Sequence, residues 1–274
     1  MQIQHNIQAI NSGRNLAINN SNLSKNLEKL SSGYRINRAG DDAAGLAISE
    51  QMRSQINGLN QAATNAQDAI GLIQTAEGAL TEVHSMLQRM VTLSTQAANA
   101  TINTVAAGNI STEFQALMDE INRIADYTDF NGTKPLAGTG NPGQMTFQIG
   151  PSGGETISVA GQNMRFDELA SGVTADSVKT RAAANAALTD LNSAINTVST
   201  YRASLGAAQN RLEHTVNSLK VTSENIQAAE SRIRDTNMPD EITSFTKNNI
   251  LLQAAQSMLS QSNAVPQSVL SLLG

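Results

Sequence analysis

The chain has 274 residues and a net charge of −5, with only 15% charged residues, a balance that argues against nucleic-acid binding as its main task. Hydrophobic content of 40% is enough for a core, but aromatics make up only 3% and tryptophan is absent, so packing rests on small aliphatic contacts rather than on the bulk that shapes enzyme pockets. Cysteine is missing, which removes disulfides, thiol catalysis and Cys-based metal sites, and no run approaches the roughly 18–20 apolar residues of a membrane span.

The N-terminal stretch MQIQHNIQAINSGRNLAINN lacks the apolar core of a cleaved secretory signal. Helix is expected from about residue 3 to 32, with Ile3, Ile7, Ile10, Leu16, Leu23, Leu27 and Leu30 along one side. Ser31, Ser32 and Gly33 interrupt it. A connector, residues 34–42, carries Arg35, Arg38 and the pair Asp41 and Asp42. Neighbouring carboxylates point apart, so this pair reads as helix capping and dipole compensation rather than as an acid–base couple. A long helix is expected next, over about 43–98. Met52, Ile56, Leu59, Ala63, Ala66, Ile70, Ile73, Leu80, Val83, Leu87 and Met90 recur at steps of three and four, with one slip near Glu77. A proline-free helix of that span rises about 80 Å, the dimension of a rod rather than of a compact domain. A third helix is expected over about 111–126, with Phe114, Leu117, Met118, Ile121, Ile124 and Ala125 as its apolar face.

The texture then changes. FNGTKPLAGTGNPG is rich in turn residues. Its Gly138, Gly140 and Gly143 match a GxGxxG string, but Pro142 and the lack of a flanking strand and helix make it a loop rather than a phosphate cradle. QMTFQIG and ETISVA flank Pro151, Ser152, Gly153 and Gly154, a β-hairpin signal. After an irregular stretch to about residue 178, helix resumes to about residue 234. There Leu191, Val198, Leu205, Leu212, Leu219, Ile226 and Ile233 repeat every seven residues without a miss, while the positions three residues earlier are partly polar. A strict seven-residue repeat means winding around a partner helix, because an ordinary amphipathic helix drifts off a period of 3.5. The 43–98 helix is the partner within reach. Pro239 marks a new N-terminus. A last helix carries Ile242, Phe245, Leu252, Met258 and Leu259, followed by a tail with Val269, Leu270, Leu272 and Leu273. His5, His84 and His214 stand alone, so no metal, catalytic or cofactor site is expected.

The segment LSSGYRINRAGDDAAGLAISEQMRSQINGLNQAATNAQDAIGLIQTAEGALTEVHSMLQRM closely resembles bacterial flagellin, and so does AQNRLEHTVNSLKVTSENIQAAESRIRDTNMPDEITSFTKNNILLQAAQSMLSQSN. The similarity spans roughly residues 1–130 and 180–274. It implies a mainly α protein, an elongated antiparallel helical rod or coiled coil with a small β-hairpin insertion, in which the N- and C-terminal helices pair. It also implies two domains. Residues 1–42 and 236–274 would form an inner terminal coiled coil, and residues 43–235 a helical rod that includes a hairpin and loop region at 127–178. Only about 50 residues separate the third helix from the long C-terminal one, so a separate outer domain is not expected.

Function follows from the same resemblance. The chain would be a structural subunit that polymerises with itself into an extracellular filament for motility, exported without a cleaved signal, with its terminal helices ordering on assembly. Partners would be the flagellar export chaperone, the filament cap and the junction proteins; no nucleic acid and no membrane insertion are expected. The heptad residues 191–233 would be the rod core seam, and Val269, Leu270, Leu272 and Leu273 an assembly tail. Arg232 and Arg234 would compensate the end of their helix or pair with Glu230 or with neighbouring subunits. LQRMVTL, residues 87–93, corresponds to the flagellin segment contacted by an animal Toll-like receptor. Arg89 and Leu93 match it, and Glu113 corresponds to a further contact, while Val91 and Thr92 depart from the usual pattern. Two other readings are a hook–filament junction protein and, more remotely, a secreted enzyme on a flagellin scaffold; the HExxH motif of such enzymes is absent.

Overall fold

The computed structural model describes residues 6–137 and 144–273, the side chains from residue 266 onward excepted. His5, the Gly138, Gly140, Gly143 string and the side chains of Val269, Leu270, Leu272 and Leu273 lie outside the described residues. In chain order the elements are α1 (Ile7–Ser32), α2 (Ala43–Ala97), α3 (Thr104–Tyr127), β1 (Met145–Gln148), β2 (Thr156–Val159), α4 (Phe166–Leu169), a 3-10 turn (Ala175–Val178), α5 (Arg181–Arg234) and α6 (Met238–Leu273). The mainly helical class is as expected, and α3 begins seven residues earlier than its apolar face suggested. Asn103 explains this: its side chain accepts the Ala106 N–H at 2.8 Å and caps the helix.

The chain divides into two compact units, residues 57–223 and residues 1–56 with 224–274. In the first, α2 and α5 run antiparallel. Asn60 accepts the Ser223 hydroxyl at 3.0 Å, and Glu77 meets Arg202 at 3.6 Å, so residue numbers rise along one helix as they fall along the other. The α2 side of the core is Leu59, Ala62, Ala66, Ala69, Ile73, Ala76, Leu80, Val83, Leu87, Met90, Leu93 and Ala97, all buried. The slip expected near Glu77 is not there. Ala76 is wholly buried and fills the step between Ile73 and Leu80; a pattern weighted by bulk reads a methyl as a gap. For the same reason Ala62 and Ala69 are the seam residues, while Ala63 and Ile70 are half-buried beside it.

On α5 the wholly buried Leu191, Val198, Leu205 and Leu212 are joined by Ala184, Ala187, Ala194, Tyr201 and Ala208. Their second row lies four residues before each seam residue, not three as the sequence reading had it. After Leu212 the next buried residue is Val216, four on, and then Ser223. Two successive steps of four are a stutter, which locally unwinds a left-handed supercoil. Beyond it Leu219, Ile226 and Ile233 are only half-buried.

α3 and the intervening chain close this unit. Phe114 on α3 meets Phe166 edge to face, with ring centroids 6.4 Å apart. Asn122 accepts the Phe166 N–H at 2.9 Å, Asp126 pairs with Arg165 at 2.7 Å, and Ser111 donates to the Ala175 carbonyl at 2.8 Å. Residues 165–178 are therefore laid along α3 by single hydrogen bonds to named polar side chains, a stretch where the sequence shows no period. The hairpin pairs Met145 with Val159 and Gln148 with Thr156. Ile157 and Val159 are buried, and Asn65 of α2 donates to the Gln148 carbonyl at 3.2 Å.

Leu212→Asp should destroy this unit. A carboxylate at a wholly buried seam position loses several kcal/mol of hydration or must take up a proton, so the monomer should melt far below the parent by circular dichroism. A melting temperature equal to the parent's would contradict the seam.

Candidate assembly site

The second unit holds the terminal helices and the connector. α1 and α6 are antiparallel partners. Asn6 donates to the Ser262 carbonyl at 2.9 Å and Asn19 to the Leu251 carbonyl at 3.4 Å. Both contacts are side chain to backbone. Among the described residues no aliphatic side chain of α1 or α6 is buried; the buried residues are Asn26 and Ser262. Ile7, Ile10, Ile18 and Leu27 on α1, with Ile242, Ile250, Leu251 and Met258 on α6, are 41–63% exposed. The contrast with the 57–223 unit is one of degree: there seam leucines reach full burial, here Leu16, Leu23, Leu30, Leu252 and Leu259 are only half-buried and the residues just named are exposed.

The connector is built differently again. Gly33, at φ 75°, ends α1 in a left-handed cap whose N–H reaches the Lys29 carbonyl. The chain then pairs with the end of α5. Tyr34 and Asp235 form an antiparallel bridge, Arg35 N–H donates to the Arg234 carbonyl at 2.7 Å, and Thr236 N–H to the Gly33 carbonyl at 2.9 Å. The Arg35 guanidinium donates to the Ile233 carbonyl at 2.6 Å, covering one of the orphan acceptors of that helix end. Arg38 pairs with Glu28 at 2.8 Å.

Of the pair expected to cap α2, Asp42 does so and Asp41 instead holds the connector. Asp42 Oδ1 accepts the Gly45 N–H at 2.9 Å and caps α2, while Asp41 Oδ2 accepts the N–H groups of Arg38 at 3.0 Å and Asn37 at 3.2 Å. Those two donors, Arg38 foremost, hold the Asp41 carboxyl below its ordinary range. The Arg234 guanidinium meets Glu50 of α2 at 2.6 Å and lies 4.7 Å from the centre of the Tyr34 ring. Its hydrogen bond is the main cause of the lowered Glu50 carboxyl. The only advance sign was Tyr34, one of three tyrosines, immediately after the helix-ending glycine.

Of the other residues singled out, Arg89 on α2 and Glu113 on α3 form an ion pair at 2.8 Å, half-exposed on both sides. Leu93 is 2% exposed and belongs to the core beneath them. His84 contacts Gln88 at 3.0 Å. Among the described residues no group of three or more His, Asp or Glu side chains stands together as metal ligands, and no helix is long and apolar enough to cross a membrane.

A helical pair that leaves many apolar side chains exposed offers a surface to be covered. The model of the bacterial flagellin N-terminal helical region matches residues 3–141, and that of the C-terminal helical region matches residues 188–273. The chain belongs to the bacterial flagellin family. It is 51% identical to a flagellin of Bacillus subtilis (strain 168) and 50% identical to one of Halalkalibacterium halodurans, in both cases over all of each chain. A flagellar filament 33 kDa core protein of Treponema phagedenis is 46% identical, also end to end. Among solved structures, the crystal structure of Bacillus cereus flagellin has a TM-score of 0.52 at 33% identity, covering 61% of this chain and 94% of that one. A putative flagellar hook-associated protein of Vibrio parahaemolyticus reaches 0.60 at 14% identity, over 71% of this chain and all of that one, which speaks for the fold alone.

As a flagellin-family chain it is a structural, non-enzymatic subunit of the extracellular flagellar filament. It is a short form without a separate outer domain. Its end-to-end identity near one half is with flagellins.

The connector should loosen in acid. Asp41 and Glu50 have folded-state values below their unfolded ones, so their contribution is full above the ordinary carboxylate range, about pH 4, and is lost as pH falls through the folded values. In hydrogen exchange the Asn37 and Arg38 amides should lose protection across that fall, and Asp41→Ala should show low protection at every pH. An acid step that persists in Asp41→Ala would place its origin elsewhere.

Proposed function

We propose that the subunit assembles by burying the outward stripes of α1 and α6 against neighbouring copies, and that these terminal segments reach full helical order only on assembly. The supporting observation is the absence of any buried aliphatic side chain in that pair among the described residues. Most of a helix's stability in a protein comes from packing its apolar face, and a pair without such packing is marginal by itself. Fully burying each Leu, Ile or Met contributes about 1.5–3 kcal/mol relative to exposure. The eight half-exposed residues named above would together contribute on the order of 10 kcal/mol. That is comparable with the roughly 4–15 kcal/mol cost of fixing a free subunit in place. Contacts between successive copies would be heterologous, and such contacts build an open helix where the rotation between copies does not close a ring.

In this reading residues 1–42 and 236–274 act as the inner assembly domain and 43–235 as the outer one. Val269, Leu270, Leu272 and Leu273 extend the apolar stripe as an assembly tail. The export chaperone, the filament cap and the junction proteins would be the partners that cover these ends before and during assembly. Arg89 and Glu113 would offer a Toll-like receptor a paired charge on an exposed ridge, with Leu93 supporting it from the core.

Two measurements test the assembly reading. Hydrogen exchange should find residues 6–32 and 238–265 weakly protected in the monomer and strongly protected in the filament; equal protection in both states would contradict ordering on assembly. Removing residues 265–274 should leave the monomer's circular dichroism melt in place and abolish or weaken polymerisation, read by sedimentation. Filaments as stable as the parent's would remove the tail from the mechanism.

A further inference from the structure

The chain contains the dipeptide Asn-Gly twice, at Asn57 and Gly58 and at Asn131 and Gly132, in opposite backbone settings. The first lies inside α2, where every peptide is locked in the helical ladder. The second forms an exposed two-residue loop. Phe130 and Thr133 exchange both backbone hydrogen bonds, at 2.9 and 3.0 Å, while Asn131 has φ 51° and Gly132 φ 83°. Positive φ at both corners is a type I′ turn. Asn131 is the one described non-glycine residue with positive φ.

We propose that Asn131 is a site of spontaneous deamidation, and that Asp129 sets its rate. Turning only the peptide between the two corner residues converts a I′ loop to II′ while the Phe130–Thr133 pairing stays intact. In type II′ the first corner keeps its positive φ and its ψ swings to about −120°, the mirror of type II. That ψ is the one a five-membered ring through the side chain imposes, because it turns the Gly132 nitrogen toward Cγ of Asn131. The nitrogen attacks, an N–Cγ bond forms, its proton passes to a solvent base, the Cγ–Nδ2 bond breaks and ammonia leaves. Water then adds to either carbonyl of the resulting succinimide, giving aspartate or isoaspartate. No oxidant or other reactant is required.

Asp129 opposes the turn. Its Oδ2 accepts the Gly132 N–H at 3.2 Å in the I′ form, and the rotation that brings the nitrogen to Cγ carries that N–H away. The loop therefore has the reactive dipeptide, the positive φ and the solvent access, with one side-chain hydrogen bond as a latch. The products matter because of where the loop sits. Asn131 lines a cleft together with Asn65 and Asp68 of α2 and Thr146 and Gln148 of β1. The Phe130 ring lies against Gly71 of α2. A new carboxylate here faces Asp68 and Asp129. Isoaspartate adds a carbon to the main chain and would break the Phe130–Thr133 pairing, loosening the loop beside the hairpin. In an extracellular filament the extent of conversion would record a subunit's age.

The test is peptide mapping by mass spectrometry of the full chain incubated at mildly alkaline pH, folded and in denaturant. Folded protein should accumulate aspartate and isoaspartate at 131 while Asn57 stays intact, and both sites should react in denaturant. Asp129→Ala should deamidate at 131 several-fold faster, with a circular dichroism melt like the parent's. Reaction at 57 as fast as at 131 in the folded protein would overturn the site. Asp129→Ala reacting at the parent's rate, or more slowly, would overturn the latch; the comparison of the two Asn-Gly sites within one parent molecule does not depend on that variant.

Discussion

The seam between α2 and α5 is the constraint on which the 57–223 unit rests. Two helices of 55 and 54 residues cannot bury a stripe by propensity alone; each must face the other at a spacing that repeats. The spacing is kept by mixing leucine with alanine. Wherever the seam carries Ala66, Ala76, Ala187, Ala194 or Ala208 the backbones can approach closely, and wherever it carries Leu80, Leu87, Leu205 or Leu212 the gap is filled. Interiors pack to crystal-like density, so the alanines are as structural as the leucines. Few aromatics are needed, and Phe114 and Phe166 serve where α3 has to anchor a segment without a repeat.

The terminal pair obeys the same helix geometry with the opposite use of apolar side chains. Where α2 and α5 bury theirs fully, α1 and α6 leave isoleucines, leucines and methionines exposed or half-buried, with asparagine contacts to backbone carbonyls between the two helices. An exposed apolar stripe of this kind marks a surface meant to be covered. The difference is physical: one unit buries its apolar seam within the chain, and the other leaves a surface that the proposed assembly would cover. Within the terminal unit the connector, residues 34–42, meets the start of α2 and the end of α5 through polar contacts. Isolated exposed ion pairs contribute little, but Arg35 and Thr236 also tie backbone to backbone, which sets direction rather than strength.

Much of this was legible in the sequence. The 3–4 recurrence in residues 43–98 and the sevenfold recurrence from Leu191 announced long paired helices, and turn residues around Pro151 announced the hairpin. Asp42 as a helix cap followed from its place before the long helix, whereas Asp41 binds connector amides that the same reading did not foresee. What escaped was carried by small or solitary residues. Ala76 looked like a break because a methyl group gives a weak pattern signal. Up to Leu212 the second row of α5 lies one position from the expected one, because Ala187, Ala194 and Ala208 give a weaker signal than bulkier neighbours; Val216 and Ser223 beyond it are buried at the expected positions. Arg234 could be placed at a helix end, yet its meeting with Glu50 and Tyr34 joins residues far apart in the chain, and no local period reports that.

The sequence by itself therefore determined the helices, their pairing partners and the family, because periodicity and long motifs are local properties written into the order of side chains. Tertiary structure decided the rest: that the second half of the sevenfold series, Leu219, Ile226 and Ile233, stays only half-buried, that Leu93 lies in the core while Arg89 and Glu113 pair above it, and that Asn131 occupies an exposed I′ corner while Asn57, in the same dipeptide, is held in a helix. Burial and backbone conformation depend on what arrives from elsewhere in the chain, and identical local letters can meet different surroundings.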